Sequence, residues 1–515
     1  MDRRRFLLDL SVCSLALANL PAARRVAWRP RFADDPFSLG IASGDPEPDG
    51  VVLWTRLAPE PIAPDGFGGM GDDNVAVSWE VANDEAFTTI VRRGTALATR
   101  ALAYSVHVEV DGLSPARWYW YRFRTGDVMS PLGRTRTTPA RDAAAQSLQF
   151  AFVSCQNYEQ GLYTAFDHLA AERLDLVAHL GDYIYEGAGA DGRVRKHDGG
   201  EINTLAEYRR RYAQYKSDMS LQRAHAQCPW VMTWDDHEVD NNYAGEIAQD
   251  AQARDAFLAR RAAAYQAWYE HQPVRVPRPR SWADLAIHRS VSWGALARFW
   301  VLDTRQFRSN QACGDGRKAF CAESLEASRT VLGEPQETWL NNGLSASRAS
   351  WQVLAQQIMV APYVTIGADG ARVSMDQWAG YPTAQRRLVE SLHQRAPGRG
   401  VVLTGDIHSS WVNDLRVDFS RPESAAVAAE FVGTSMTSGG NGNDGFAGLA
   451  AESMRVNNPH IAWHNARRGY VLCAVTPREW RSTYRTVEYV DTPGAPIKTA
   501  AAFVVEAGRT GVRQV

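Results

Sequence analysis

Five short polar blocks, most of them directly behind an apolar run, constrain the fold of this chain more than any other feature. The blocks are residues 154–156, 181–185, 234–238, 351–357 and 405–408. An apolar run of about four to eight residues that is closed by Gly or polar residues indicates a buried strand. In open α/β sheets the loops at the carboxyl ends of such strands converge on the ligand site. The sequence therefore predicts an α/β domain with one polar site.

The blocks bring together a thiol, carboxylates, a phenol and a histidine, which is the donor set of a metal centre. A carboxylate on a Gly-opened turn, as at Asp182, can bridge two cations because each of its oxygens can bind one. Tyr185 stands three residues further on, and we expect it to reach the same ion if this turn begins a helix. Deprotonation of a phenol requires a hard, highly charged metal, so a tyrosine ligand indicates a trivalent ion.

Cys155 closes the strand predicted for residues 150–153 and has three possible roles. A thiolate is a good ligand for iron or zinc and a poor one for calcium or magnesium. The alternatives are an inert buried cysteine and a nucleophile. A cysteine nucleophile in a phosphatase needs a phosphate-binding loop that ends in Arg, and residues 156–160 (QNYEQ) do not form one. We therefore expect Cys155 to be a metal ligand.

Two further blocks supply carboxylates and histidines. The run at residues 235–238 is too charged to lie unpaired in a core, so we expect one carboxylate to bind metal while His237 faces the substrate. A solvated surface run is the alternative. Asp406 and His408 are two residues apart, which in extended backbone places both side chains on one face. They are then able to reach neighbouring ions.

The organisation of the chain suggests two domains behind an amino-terminal targeting segment. Alternating strand-like runs in residues 35–140 predict a small β-sandwich with a fibronectin type III-like corner near Tyr119. Residues 147–515 alternate strands with helical segments, which predicts an α/β core with helices outside its sheets. Residues 246–271 are rich in Ala and Arg and predict one long amphipathic helix.

Residues 1–30 predict a targeting signal, not part of the fold. The segment 2–8 (DRRRFLL) resembles a twin-arginine signal, and the apolar stretch behind it is too short to be a stable membrane anchor. We therefore expect a periplasmic or secreted protein that meets the twin-arginine translocase during export. The net charge of −2 argues against nucleic-acid binding. An exported chain could also pair Cys313 with Cys321 across a turn-rich loop.

Read together, the blocks resemble the calcineurin-like metallophosphoesterase superfamily. The Gly-Asp-x-x-Tyr block at residues 181–185 is similar to that of purple acid phosphatases. Asp236 stands where that group has the Asn of Asn-His-Glu, and residues 405–408 stand where it has Gly-His-x-His. Cys155 replaces the first aspartate of the superfamily. These substitutions, and residues 37–57, point to the PhoD-type alkaline phosphatases and phosphodiesterases.

The resemblance implies two packed sheets flanked by helices and a site with Fe³⁺ beside Ca²⁺. It assigns Cys155, Asp182, Tyr185 and His408 to iron, and a shared Asp182 with Asp236 and Asp406 to calcium. Only Gln356–Gln357 stands where purple phosphatases have a further histidine, and the oxygen-only set suits calcium.

The function that the resemblance implies is hydrolysis of small phosphate monoesters and diesters by a metal-bound hydroxide. His237 is expected to stabilise or protonate the leaving oxygen. Two alternatives stay open: a phospholipase D-like phosphodiesterase with little monoesterase activity, and a non-catalytic surface protein stabilised by metal.

Overall fold

The computed structural model describes residues 26–28, 30–368, 370–446 and 449–515 of the 515-residue chain. Most of the predicted twin-arginine-type segment, residues 1–25, lies outside the described residues. Its last part is described, and there Val26 pairs in parallel with Asn74, so this part contributes to a sheet. Among the helices of the described stretches, none is long and apolar enough to cross a membrane.

The amino-terminal part of the chain is built from strands. In chain order these are β1 (Val26–Ala27), β2 (Ile41–Glu47), β3 (Gly50–Arg56), β4 (Asn74–Ala82), β5 (Ile90–Ala98), β6 (Ser105–Val110), β7 (Trp118–Thr125), β8 (Val128–Met129) and β9 (Gly133–Arg136).

From residue 148 onward strands and helices alternate. The first part holds β10 (Leu148–Val153), α1 (Thr164–Ala171), β11 (Leu176–Leu180), α2 (Leu205–Lys216), α3 (Met219–His225), β12 (Trp230–Thr233), α4 (Arg254–His271), β13 (Arg289–Trp293), β14 (Ala297–Val301) and β15 (Arg317–Lys318). The second part holds α5 (Gly333–Ala346), β16 (Trp351–Ala355), β17 (Thr365–Gly367), β18 (Gly370–Ser374), α6 (Pro382–Arg395), β19 (Gly400–Thr404), β20 (Ser410–Arg416), β21 (Ala426–Val432), α7 (Leu449–Asn457), β22 (Ile461–Asn465), β23 (Gly469–Val475), β24 (Glu479–Val487), β25 (Ile497–Glu506) and β26 (Arg513–Gln514).

Two large sheets pack face to face, as the family resemblance implies. The ten-stranded sheet has the order β26-β25-β24-β23-β10-β11-β12-β2-β3-β6, and the seven-stranded sheet has the order β13-β14-β16-β19-β21-β20-β22. An apolar core fills the space between them, where the rings of Phe150 and Phe299 meet edge to face at 5.2 Å. Helices α1, α2 and α4 cover the outer face of the first sheet, and α5 and α6 cover the outer face of the second.

The amino-terminal strands form two β layers around a core of their own. One layer is a six-stranded sheet in which β1, β5 and β7 pair with β4, and β8 and β9 pair with β7. The other layer is β2, β3 and β6, which belongs to the ten-stranded sheet because Gly44 pairs with Trp230 of β12. The expected two-layer arrangement is present, while its fibronectin type III-like identity stays a prediction. The structure shows that one layer is continuous with the sheet that carries the site.

The long helix expected over residues 246–271 is shorter than predicted. Helix α4 begins only at Arg254. Ala244 and Ile247 form an isolated β-bridge, and Gly245 between them has a φ of 60°, which a helix does not accommodate. The side chain of Arg261 then binds the carbonyl of Gly245. Alanine content predicts the helix correctly but not the turn that precedes it.

Candidate metal centre

The site lies at one edge of the two packed sheets because both sheets place carboxyl ends of parallel strands there. Strands β10, β11 and β12 are parallel neighbours in the first sheet, and β14, β16 and β19 are parallel neighbours in the second. The loops from the two sheets approach closely at Gly405, where a Cβ atom would lie 2.9 Å from the Cβ of Ser154. Only glycine permits this approach, which explains why Gly opens the block at residues 405–408.

Four of the predicted ligands have left-handed backbone conformations. The φ angles are 59° at Cys155, 56° at Asp182, 61° at Asp406 and 57° at His408. Residues other than glycine are uncommon in this region, and such strain concentrates at functional sites. The expectation that Asp406 and His408 share a face of extended backbone is therefore wrong. Instead, the directions of the Asp406 and His408 side chains are set by the tight backbone turn that contains both residues.

The structure brings the donors of the first predicted set together. One donor atom each from Cys155, Asp182 and His408 lies within 4.8 Å of the others. The hydroxyl of Tyr185 donates to Asp182 Oδ2 at 2.8 Å and lies 3.0 Å from His408 Nε2. Residues 182–185 form an irregular turn and not the first turn of a helix, yet Tyr185 reaches the set.

Burial raises the pKa of both protic donors in this set. For Cys155 and for Tyr185, burial is the largest cause and the carboxylate of Asp182 adds to it. Burial and the charge of Asp182 thus favour the protonated forms of both side chains, and a cation bound beside them would favour their ionised forms.

A second donor set shares Asp182 with the first. Donor atoms of Asp182, Asp236 and His237 lie within 4.8 Å of one another, and so do donor atoms of Asp235, Asp236 and Asp406. Three carboxylate oxygens here are buried and have no hydrogen-bond partner among the described residues, namely Asp182 Oδ1, Asp235 Oδ2 and Asp236 Oδ1. Unpaired buried carboxylate oxygens are costly, and cations would satisfy them. The residues present therefore fit two neighbouring metal ions, and Asp182 belongs to both donor sets.

Arg305 balances the charge of this acidic cluster and was missed by sequence reasoning. Its fully buried guanidinium binds Asp235, donates to Asp376 at 2.9 Å and to Asp406 at 3.0 Å, and lies 3.6 Å from Asp236. Burial by itself lowers the pKa of Arg305, but these four carboxylates outweigh it and raise the pKa well above its ordinary value. The arginine thus holds the turn of Asp406 against the end of β12.

Glu186 fixes the ring of His237. Its Oε2 lies 2.7 Å from His237 Nδ1, and its Oε1 accepts the backbone N–H of Asn241 at 2.9 Å. The ring also packs on Tyr185 with centroids 4.1 Å apart. Burial lowers the pKa of His237, but the charges of Glu186, Asp182 and Asp236 raise it well above its ordinary value. Cations at Asp182 and Asp236 would neutralise those two charges and leave Glu186 as the group that keeps the ring protonated.

Glu238 ties the loops of β11 and β12 together. Its carboxylate accepts the backbone N–H groups of Asp182 at 3.0 Å and Asp235 at 2.7 Å, and also that of Tyr183. Burial, and then the charge of Asp182, raise its pKa to about 8. The sequence block shows Glu238 beside His237, but not that it holds the neighbouring loop.

Gln356 and Gln357 have structural roles. Gln357 donates to the carbonyls of Trp234 and Leu302, and Gln356 donates to the carbonyl of Ile358. Both amides are occupied within the loops, so neither replaces the histidine of purple phosphatases. The structure adds Ser438 instead, whose hydroxyl lies 2.6 Å from the Tyr185 oxygen and 2.7 Å from the carbonyl of Cys155. A serine in a Gly- and Ser-rich loop carries no sequence signal for such a contact.

The two expected types of cysteine outside the site are both present. Cys313 and Cys321 form a disulfide, as predicted. Cys228 and Cys473 are free and buried.

Two donor sets that fit cations, with His237 held beside them at the shared edge of two packed sheets, are the arrangement expected of a phosphoesterase of the metallophosphoesterase class. A family model described as PhoD-like phosphatase matches residues 150–484, and one described as PhoD-like phosphatase, N-terminal domain, matches residues 22–139. The alkaline phosphatase D of Bacillus subtilis (strain 168) is 49% identical over 525 residues, which is 100% of this chain and 89% of that protein. The chain belongs to the PhoD-like phosphatase family.

Solved structures agree with this assignment. The structure of PhoD matches with a TM-score of 0.91 and 51% identity, covering 94% of this chain and 93% of that chain. A purple acid phosphatase from yellow lupin (Lupinus luteus) seeds matches with a TM-score of 0.56 and 10% identity, covering 92% and 74%, which shows a shared fold alone. The chain is thus a phosphatase enzyme, and the alternative of a non-catalytic surface protein is excluded.

Proposed function

We propose that this enzyme hydrolyses phosphate monoesters and diesters with Fe³⁺ at the first donor set and Ca²⁺ at the second. The observation that carries the proposal is the position of Asp182, whose oxygens lie between the two sets and whose Oδ1 has no partner in the described protein. A carboxylate in that position can serve both ions at once.

The chemistry of the donors supports the choice of ions. The first set joins the thiol of Cys155 and the phenol of Tyr185 to an imidazole, and both protic groups need a strongly charged cation to lose their protons. The second set is mostly carboxylate oxygens, and Asp236 and Asp406, the ligands proposed for this ion beside Asp182, are oxygen donors that suit calcium. Asn242 stands beside this set, since its backbone N–H donates to Asp236 Oδ2 at 2.7 Å.

The residues around the two donor sets have separate roles in the reaction. When bound, two cations supply polarisation of the phosphoryl group and activation of water. His237 has no partner for its Nε2 among the described residues, and this nitrogen is available to protonate the leaving oxygen. Glu186 keeps the proton on Nδ1 and orients the ring. Arg305 and Glu238 hold the loops that carry the carboxylates.

The competing reading within this family of reactions is a phospholipase D-like diesterase with little monoesterase activity. The two are separated by comparing kcat/KM for 4-nitrophenyl phosphate and for bis(4-nitrophenyl) phosphate on the same metal-replete enzyme. We expect both substrates to be hydrolysed, and both rates to be lost on chelation. Hydrolysis of the diester alone would favour the competing reading, and unchanged rates after complete metal removal would contradict the metal-dependent mechanism.

We also propose that the chain is exported to the periplasm or beyond through the twin-arginine translocase. The support is the sequence of residues 2–8, which places two arginines before Arg5-Phe6-Leu7. Replacing Arg3 and Arg4 together by Lys is expected to retain the enzyme in the cytoplasm. Arg5→Lys is the matched control and is expected to leave export unchanged. Equal export of all three proteins would refute this route.

A further inference from the structure

Arg317 is a half-buried arginine at the edge of the site that lacks a carboxylate partner among the described residues. It lies on β15, inside the loop closed by the Cys313–Cys321 disulfide. Its guanidinium stacks on the ring of Tyr363, 4.7 Å from the centroid, and donates to the carbonyl of the same residue at 2.7 Å. Burial lowers the pKa of Arg317, and no carboxylate offsets this. The remaining N–H groups are therefore free to bind an anion from outside the protein.

The loop that carries Arg317 is attached directly to the metal centre. Asp315, two residues earlier, accepts from the side chain of Asn242 at 3.1 Å, and the backbone N–H of Asn242 donates to Asp236 at 2.7 Å. On its other side, β15 pairs with β18, which leads into Gln377, and the amide of Gln377 donates to Asp406. The disulfide loop is thus linked to Asp236 through Asn242, and to Asp406 through β18 and Gln377, two of the predicted calcium ligands.

The register of β15 shows which way Arg317 faces. Arg317 pairs with Ser374, and paired residues of antiparallel strands point to the same face. The neighbouring pair Lys318 and Val373 points to the opposite face, where Val373 packs in a small apolar cluster with Met375. Arg317 therefore points away from that cluster and towards the wall formed by Tyr363.

That wall borders the metal-binding turn. Tyr363 packs in the same apolar cluster as Ile407, the residue between Asp406 and His408. Its ring also meets Trp411 at 5.0 Å and the partly exposed ring of Phe446 at 5.9 Å. A substrate group that extends from the scissile phosphate over Ile407 would meet aromatic rings first and the guanidinium of Arg317 next.

We propose that Arg317 binds a second negatively charged group on the alcohol part of the substrate, and that the aromatic wall of Tyr363 and Phe446 packs against the atoms between the two charges. This inference deepens the proposed phosphoesterase function and rests on it. The preferred substrates are then esters with a second anionic group near the scissile phosphate. A planar guanidinium that is held by stacking and tied down by a disulfide loses little freedom when it binds a carboxylate or phosphate.

The test compares substrates that differ by one charge. They are phenyl 4-nitrophenyl phosphate and the diesters in which the phenyl ring carries a carboxylate at the 3- or 4-position. We expect kcat/KM for at least one carboxylated diester to exceed that for the phenyl diester by about 10-fold, the usual effect of one charge-assisted hydrogen bond. Arg317→Met should reduce this ratio to about one and change the rate for the phenyl diester by less than about 2-fold.

A matched control is available at Arg298, which stacks on Trp300 at 4.9 Å from the ring centroid and donates to the hydroxyl of Ser290 at 2.9 Å. It lies near the start of β14, at the other end of that strand from Arg305, so Arg298→Met should keep the wild-type ratio.

A wild-type ratio of one for both carboxylated isomers, or an unchanged ratio in Arg317→Met, would overturn the inference. If no diester is hydrolysed, the diesterase part of the proposed function fails, and the same comparison with phenyl and carboxyphenyl monoesters decides the role of Arg317 separately.

Discussion

Replacing Glu186 by Gln tests the role of His237 without touching the metal-binding residues. The change keeps the size of the side chain and removes the charge that lies 2.7 Å from His237 Nδ1. A glutamine has one oxygen, whereas Glu186 uses one oxygen for His237 and the other for the backbone N–H of Asn241. If the oxygen of the new glutamine accepts from the backbone N–H of Asn241, its NH₂ group faces Nδ1 of His237. Nδ1 must then accept this hydrogen bond with its lone pair, so it cannot carry a proton. The ring is then neutral and a weaker acid.

The size of the effect follows from the geometry. Two unit charges about 4 Å apart interact by about 4 kcal/mol at an effective dielectric constant of about 20. The side chain of His237 is 18% exposed, so solvent screens part of this interaction. A loss of about 2 kcal/mol in the stabilisation of the protonated ring corresponds to about a 30-fold lower rate where proton donation limits the reaction.

The assay compares leaving groups of different basicity. We expect Glu186→Gln to lower kcat by about 30-fold for an alkyl phosphate and by less than about 3-fold for 4-nitrophenyl phosphate, which needs little protonation. Metal content should equal that of the wild type. Glu172→Gln is a control, because Glu172 is a part-buried carboxylate that binds Tyr470 and Arg485 away from the site. Equal losses for both substrates would refute the proton-donor role and leave Glu186 a structural residue.

Three further outcomes are expected. Tyr185→Phe should bleach a visible tyrosinate-to-iron absorption band with little change in thermal stability, and a spectrum identical to that of the wild type would contradict iron ligation by Tyr185. Cys155→Asp should retain part of the activity and the metal, whereas a covalent phospho-cysteine trapped by acid quench would show that Cys155 is a nucleophile. Lys216 is 2% exposed and stacks on Trp54 at 4.2 Å, and burial lowers its pKa to about 7. This pKa lies below the value of about 10.4 for a lysine in the unfolded chain, so protonation of Lys216 favours the unfolded state. The contribution of Lys216 to the free energy of unfolding therefore rises with pH from about 7 to about 10. Lys216→Met should therefore stabilise the fold by about 2–4 kcal/mol at pH 7 and by much less at pH 10, as urea unfolding would measure.

The sequence singles out the candidate ligands because most of them follow a short apolar run. Cys155, Asp182 and Asp406 each stand one residue behind β10, β11 and β19, and parallel strands must bring such positions to one edge. No comparable rule predicts Arg305, which lies four residues behind β14, or Glu186, which needs the irregular turn after β11 to reach His237. These residues are set by tertiary packing.

The sheet that joins the amino-terminal strands to the site was also beyond sequence reasoning. The alternation of β2 and β3 predicts strands but not their partners, and the link to β12 depends on one residue pair, Gly44 with Trp230. A Cβ at Gly44 would lie 2.6 Å from the Trp230 carbonyl, so the pairing depends on a glycine that local pattern alone does not single out.

The most direct test of the proposed metal centre is the identity and position of the metals in protein purified from its native host. Anomalous diffraction recorded on both sides of the iron edge, with elemental analysis of the same sample, would locate each ion. We expect one iron bound by Cys155, Tyr185 and His408, and calcium at Asp236 and Asp406, with Asp182 contacting both. An active enzyme that contains zinc at both positions, or metal at neither, would contradict it.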